Sequence, residues 1–217
     1  MIKIAFVGNP NVGKSALIND IAGAKLKIGN WPGVTVEKKE ADFVYNGEKI
    51  KLVDLPGVYS LSPYTLEEKI ARDYVFTEKP DVIVNVIDST NLERNLYLTL
   101  LLKELGKPMI LALNFYDEFE KLGHSLDIDL FSKLMEIDVV KTVAIKGAGI
   151  KELMEKAYDL SKKHSKQQHI KYELTFDGII EKEICKVKRK IESLDNSSEL
   201  IEKYTLDWLA IKTLEKD

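Results

Sequence analysis

The stretch Gly8–Leu17, GNPNVGKSAL, constrains this chain more than any other. Its first eight residues fit G-x-x-x-x-G-K-[ST] and follow the largely apolar run Ile2–Val7. That run predicts a buried strand, and Lys14 to about Ala22 has helical spacing. A strand, a glycine-bearing turn and a helix, in that order, is the context in which this pattern holds a phosphate. Gly8 and Gly13 allow tight backbone turns, so that successive N–H groups point inward. Asn9, Pro10, Asn11 and Val12 form the loop between them. Ala16 lies in the first helical turn, where the helix dipole favours negative charge. Lys14 is expected to neutralise terminal phosphate oxygens, and Ser15 to ligate Mg²⁺. The competing reading, a chance match within a loop, has to ignore the strand before and the helix after.

Downstream, strand and helix patterns alternate. Gly29–Gly33, GNWPG, reads as a loop. Val34–Val44 and Lys49–Val53 alternate apolar and polar residues around Asn46–Gly47, a hairpin signature. Leu66–Phe76 is helical, Asp81–Asp88 a strand buried on both faces, and Leu92–Leu105 a helix ended by Gly106 and Pro108. Met109–Leu113 is a further strand, Asp129–Met135 a short helix, and Val139–Ala144 a last strand. Gly147 and Gly149 open a helix running to about Lys163. This order predicts an α/β domain with a mostly parallel, doubly wound sheet and one antiparallel edge strand. The polar break KKHSKQQH, Lys162–His169, precedes a tail of purely helical periodicity, from Phe176 through Ile184 and Ile191 to Leu209. We therefore divide the chain into residues 1–163 and an all-α region, residues 164–217.

Composition narrows the class. At 217 residues, 45% hydrophobic and 31% charged, the chain can bury a core. A net charge of −3 argues against nucleic acid as a partner. One cysteine, Cys185, excludes an internal disulfide and fits a reducing compartment. No apolar run approaches a membrane span, and no signal peptide precedes the first strand. The chain reads as soluble, either whole or as one piece of something longer.

The other chemistry-bearing stretches extend the phosphate reading. Asp54–Gly57, DLPG, ends the second hairpin strand. Asp54 is placed to hold Mg²⁺ through water, and the Gly57 N–H to bond a γ-phosphate. Thr35, in the loop after Gly33, is a candidate to close on Mg²⁺ and that phosphate, although a lone threonine is usually structural. In LALNFYDE, Asn114 and Asp117 lie past a buried strand. A carboxylate there accepts from guanine N1 and N2, a donor pair that adenine lacks. After the last strand, in the turn that Val143 opens, the backbone N–H of Ala144 or Ile145 is the candidate donor to guanine O6.

This ordered set resembles the small G-protein superfamily. More narrowly, it resembles the cytosolic N-terminal domain of the FeoB ferrous-iron transporters. The supporting stretches are GNWPGVTVEKKE (Gly29–Glu40), DLPGVYSLSPYTLEEKIARDY (Asp54–Tyr74) and NVIDSTNLERNLYLTLLL (Asn85–Leu102). The resemblance implies a P-loop G-protein fold with a small GDI-like helical domain that slows nucleotide release. It also implies binding and slow hydrolysis of GTP, with GDP as product and Mg²⁺ as cofactor, gating iron uptake by a linked membrane domain. The expected location is the cytoplasmic face of the cell membrane. A small cytosolic regulator and self-association are the further partner candidates.

Three places depart from the usual pattern, one of them the turn Ala144–Ile145, where Ser/Thr-rich letters are usual and only the backbone contact carries over. Phe115 stands where many G proteins carry lysine along the purine, and an aromatic ring can still cover the base face. Val58 follows DLPG, where a glutamine often orients the attacking water. Two readings follow: a slow switch awaiting a partner, or charge neutralised by another route. Asn11 resembles the residue of G proteins that place K⁺ near the phosphates, with the backbone of Gly29–Trp31 completing the cage. This predicts K⁺-stimulated hydrolysis; the plain alternative is a local hydrogen bond from Asn11. Two other functions stay in view: a ribosome- or tRNA-associated GTPase, and a nucleotide sensor with negligible turnover.

The remaining features read as structural. Glu67 and Glu68 suit a helix N-terminus, the alternative being a relay of the second mobile loop or a pairing with the helical tail. Trp31 reads as a loop anchor, and Lys186–Lys190 as a solvated helix face rather than a contact to anionic lipid or RNA. His124, His164 and His169 form no metal constellation.

Overall fold

The computed structural model describes residues 1–62, 64–163, 176–194, 198, 200–201 and 204–215. Its strands are β1 (Ile2–Gly8), β2 (Leu26–Asn30), β3 (Glu37–Tyr45), β4 (Glu48–Asp54), β5 (Val82–Asp88), β6 (Met109–Asn114) and β7 (Asp138–Lys141). Its helices are α1 (Lys14–Ala22), α2 (Leu66–Thr77), α3 (Leu92–Glu104), α4 (Tyr116–Lys121), α5 (Ile128–Met135), α6 (Ile150–Lys163), α7 (Gly178–Glu192) and α8 (Leu206–Glu215). One sheet runs in the order β2-β3-β4-β1-β5-β6-β7. The pairs β4–β1–β5–β6–β7 are parallel, and β3 runs antiparallel to both β2 and β4.

The period-2 pleat of β1 sorts its side chains between two cores. Ala5 and Val7 face one way, toward Tyr74 and Val75 of α2 and Leu98 and Leu102 of α3. Ile4 and Phe6 face the other, toward Leu17 and Ile18 of α1 and Leu153 of α6. Helices on both faces explain why β5 and β6 read as continuous apolar runs. The β3–β4 turn places Asn46 at φ 48° and Gly47 at φ 79°, the double left-handed geometry that Asn-Gly favours.

Three boundaries differ from the sequence reading. Leu26–Asn30 forms the edge strand β2, so Gly29 and Asn30 belong to a strand rather than to the GNWPG loop. Strand β3 begins at Glu37, leaving residues 31–36 as the tip of the β2–β3 hairpin. Strand β7 stops at Lys141, and Ala144–Lys146 is a 3₁₀ turn.

The tail is helical where described, while residues 164–175 of the polar break lie outside the described residues. Ile184 of α7 packs on Ala210 and Ile211 of α8 as a separate small core. The tail also touches the sheet domain. Trp208 and Tyr204 stack at 4.9 Å, and both meet the Phe76 ring edge-on. Lys212 pairs with Glu104 of α3 at 3.2 Å.

Candidate nucleotide-binding site

The site forms at the carboxyl ends of β1, β4 and β6, the edge where open α/β sheets bind ligands. Gly8 ends β1 so close to β5 that a Cβ there would lie 2.4 Å from the Val86 carbonyl oxygen. The loop then needs two left-handed residues, Asn11 at φ 66° and Gly13 at φ 81°. A Cβ on Gly13 would fall 2.2 Å from Asn114 Nδ2, so glycine is required there on both counts. Asn9 and Val12 are buried, Pro10 and Gly13 half-buried, and Asn11 is exposed. Helix α1 starts at Lys14, with Ser15 and Ala16 in its first turn.

Lys14 and Ser15 converge on Asp54 from across the sheet. Lys14 Nζ lies 2.5 Å from Asp54 Oδ1 and donates to the Leu55 carbonyl at 2.5 Å. Ser15 Oγ donates to Asp54 Oδ2 at 3.1 Å. A hydroxyl and a carboxylate side by side are hard oxygen donors suited to Mg²⁺. The D-L-P-G loop lies against the first loop: Val58 N–H donates to the Gly8 carbonyl at 3.1 Å, and a Cβ on Gly57 would lie 3.1 Å from Pro10 Cα. Val58 itself is buried in the core with no polar group to offer.

Asn114 joins the P-loop to the last turn. It is fully buried, donates from Nδ2 to the Val12 carbonyl at 2.9 Å, and accepts from the Ala144 N–H at 3.0 Å. Phe115 adopts φ 56°, and its ring edge lies 3.4 Å from where a Gly13 Cβ would be. Asp117 falls in the first turn of α4, where Lys146 Nζ meets its Oδ2 at 2.5 Å. That hydrogen bond holds the Asp117 carboxyl below its usual range, so it stays an acceptor through neutral pH. Ala144 is buried, Val143 half-buried and Ile145 exposed in the same turn. The sequence reading did not single out Lys146; a lysine two residues past Ala144 carries no signal until the fold brings it to Asp117.

The structure brings together Gly8–Ala16, Asp54, Gly57, Asn114, Asp117 and Val143–Ile145. Gly33 and Thr35 stand apart, exposed at the β2–β3 tip on the same edge of the sheet. Gly29 pairs with Lys38 in the β2–β3 ladder. Glu68 completes a capping box with Thr65 and accepts from Ser62 Oγ at 2.7 Å, which is the helix-start role. No cluster of three or more metal-binding side chains and no helix able to cross a membrane occurs among the described residues.

Comparison with known proteins places the chain in a family. Residues 2–157 match the family model described as Ferrous iron transport protein B. The chain belongs to the FeoB family. The Fe(2+) transporter FeoB of Methanocaldococcus jannaschii is 50% identical over 215 residues, covering 99% of this chain and 31% of that protein. A fusion of Fe(2+) transport protein A with FeoB from Porphyromonas gingivalis is 41% identical over 218 residues, 100% of this chain and 25% of that protein. The chain thus spans between a quarter and a third of these FeoB relatives. Among solved structures, the cytosolic domain of T. maritima FeoB in a GDP form superposes with a TM-score of 0.90 at 39% identity. That match covers 100% of this chain and 82% of the other. The same domain in a GMPPNP form has a TM-score of 0.88.

Proposed function

We propose that this FeoB chain binds and hydrolyses GTP, and that its cycle gates ferrous-iron uptake by a linked membrane domain. One observation carries the reading: Lys14 and Ser15 of the phosphate loop both reach Asp54, 39 residues or more away in sequence. The GDP and GMPPNP forms of the T. maritima relative support guanine nucleotide as the ligand.

In this reading the backbone N–H groups from Asn11 to Ala16 surround the phosphates, and Lys14 neutralises terminal oxygens. The residues fit Mg²⁺: Ser15 would ligate it, Asp54 would hold it through water, and Thr35 would join when its loop closes. Bound there, Mg²⁺ offsets charge on the phosphate oxygens. The Gly57 N–H bonds the γ-phosphate. Asp117 accepts from guanine N1 and N2, Asn114 holds the loop and turn at the right distance, and Ile145 presents its N–H. A water oxygen attacks the γ-phosphorus, the bond from that phosphorus to the β–γ bridging oxygen breaks with its electron pair leaving on GDP, and the proton lost by the water passes to the released phosphate or to solvent. Val58 cannot orient that water, which accounts for a slow intrinsic rate.

Asn11, exposed within the phosphate loop, is the residue proposed to hold K⁺ and make hydrolysis K⁺-stimulated. Gly29 would have to leave its strand pairing to join such a cage. Residues 1–163 form the GTP-binding part and residues 164–217 the GDI-like helical part, at the cytoplasmic face of the membrane. A small cytosolic regulator is a further proposed partner; in the P. gingivalis relative, Fe(2+) transport protein A is fused to FeoB. Self-association remains a further proposal. Family membership disfavours the ribosome- or tRNA-associated alternative.

The test is GTP turnover by this chain in K⁺ or Na⁺, with Asn11→Ala alongside. Faster turnover in K⁺, lost in Asn11→Ala, is expected. Equal rates in both salts overturn the K⁺ assignment, and no turnover with guanine nucleotide bound leaves a sensor.

A further inference from the structure

The tip of the β2–β3 hairpin carries Thr35 in the open, yet its first residue is buried. Trp31 is 8% exposed and belongs to the core shared by Val58, Leu61 and Tyr74. Its ring meets the Tyr74 ring edge-on, with centroids 5.5 Å apart and planes at 77°. Lys38 Nζ lies over the indole at 5.2 Å. The tip closes on itself through Trp31 N–H to the Val36 carbonyl at 2.9 Å and Val34 N–H to the Trp31 carbonyl at 3.2 Å. Val34 and Val36 pack against the same core.

Tyr74 belongs to α2, the helix that follows the D-L-P-G loop. The start of α2 is tied to that loop by Glu68 and Ser62, and the loop is tied to the phosphate loop by Val58 and Gly8. A continuous path of packed rings and hydrogen bonds therefore runs from the Thr35 tip, through Trp31 and α2, to Gly8. The Trp31 Nε1–H is buried with no hydrogen-bond partner among the described residues. Burying a polar group this way costs stability. Ring packing against Tyr74 is what keeps the indole in place, so the contact is specific to an aromatic side chain.

We propose that Trp31 is a positioning residue for hydrolysis. Seated against Tyr74, it anchors the tip so that Thr35 moves on a tether rather than freely. Four residues of chain span at most about 14 Å, which bounds how far Thr35 travels from the anchor. The anchor also makes the Thr35 tip and the D-L-P-G loop share one support, the helix α2. A tethered loop loses less conformational freedom when it closes, so the benefit falls on the state that uses Thr35. GDP, which presents no γ-phosphate to Thr35, gains nothing from it. This inference rests on the proposed role of Thr35.

The experiment compares Thr35→Ala, Trp31→Ala and Trp31→Phe in this chain, measuring single-turnover GTP hydrolysis with Mg²⁺ and GDP affinity. Thr35→Ala and Trp31→Ala are each expected to slow hydrolysis about tenfold while GDP affinity stays within about twofold. Trp31→Phe, which keeps a ring against Tyr74, is expected to retain hydrolysis within about threefold. If Thr35→Ala slows hydrolysis and Trp31→Ala does not, the anchor is wrong and the Thr35 reading stands. If Thr35→Ala has no effect, the Thr35 reading itself fails and the anchor with it. If Trp31→Ala weakens GDP and hydrolysis alike, its role is structural and the proposal falls.

A fluorescence measurement covers the case in which Trp31→Ala does not fold. The chain has two tryptophans, so Trp208→Phe leaves Trp31 as the sole indole reporter. Emission typical of a buried indole with both GDP and a non-hydrolysable GTP analogue is expected. A red shift to solvent-exposed emission with the analogue overturns the anchor.

Discussion

Lys14 Nζ lies 2.5 Å from Asp54 Oδ1, with side chains only 9% and 8% exposed. Two opposite charges are thus desolvated together where the phosphate loop meets β4. Removing one partner strands the other charge in the interior. Asp54→Ala is expected to lower unfolding stability by about 3–5 kcal/mol in urea titrations. Lys14→Met combined with Asp54→Ala should recover part of that loss, because the double variant leaves no unpaired charge. A double-variant loss equal to the sum of the Asp54→Ala and Lys14→Met losses would mean that the two residues are not energetically coupled.

Asn114 links three segments of chain through one amide. Asn114→Ala leaves the Val12 carbonyl and the Ala144 N–H without their partner in a buried setting. The expected cost is about 2–4 kcal/mol of stability, together with loss of guanine-nucleotide affinity measured by equilibrium binding.

Asp117 should be convertible to a different base preference. An asparagine in its place offers one acceptor and one donor instead of two acceptors. Asp117→Asn is expected to lose GTP and gain xanthosine triphosphate, whose C2 carbonyl replaces the guanine amino group. Competition between the two nucleotides for the same site measures the switch. A variant that keeps its preference for GTP would remove Asp117 from base reading.

The contact between α3 and α8 carries a pH dependence. Burial pushes the Glu104 carboxyl above its ordinary value of 4.5, with Lys212 opposing this and Glu215 adding to it. The folded protein therefore holds this proton more tightly than the unfolded chain does. Its contribution favours folding below pH 4.5 and is lost as pH rises through the raised value. Glu104→Gln removes that penalty. It is expected to raise Tm above that of the parent at neutral pH, with the gap closing as pH falls toward 4.5. A gap that does not change with pH would mean that Glu104 does not titrate between the folded and unfolded states.

Elements with a burial signature were legible in the letters, and elements without one were not. Strand β6 is buried throughout, β1 and β5 at all but one residue each, and all three read as largely apolar runs. Strand β2 has four exposed residues of five, so no alternation marks it, and its Gly-Asn end looks like a loop. Helix α4 has six residues, too few to display a period. Val34 and Val36 mimic strand alternation, but they are apolar because the hairpin tip packs on the core.

The candidate site divides in the same way. Gly8, Gly13, Lys14 and Ser15 were readable because phosphate loops are set by local backbone: left-handed turns, a helix start and a fixed reach. The order of DLPG and NFYD along the chain added the proposed base-reading and metal-side residues. Lys146 beside Asp117, Asn114 beneath Val12 and Trp31 against Tyr74 were decided by the fold. These partners lie 29, 102 and 43 residues apart, and no local rule links them. Sequence alone determined what each short segment can do, because dihedral freedom and side-chain chemistry act within a few residues. Tertiary structure decided which segments meet, because that choice depends on burying two opposite sheet faces at once under α1 and α6 on one side and α2 and α3 on the other.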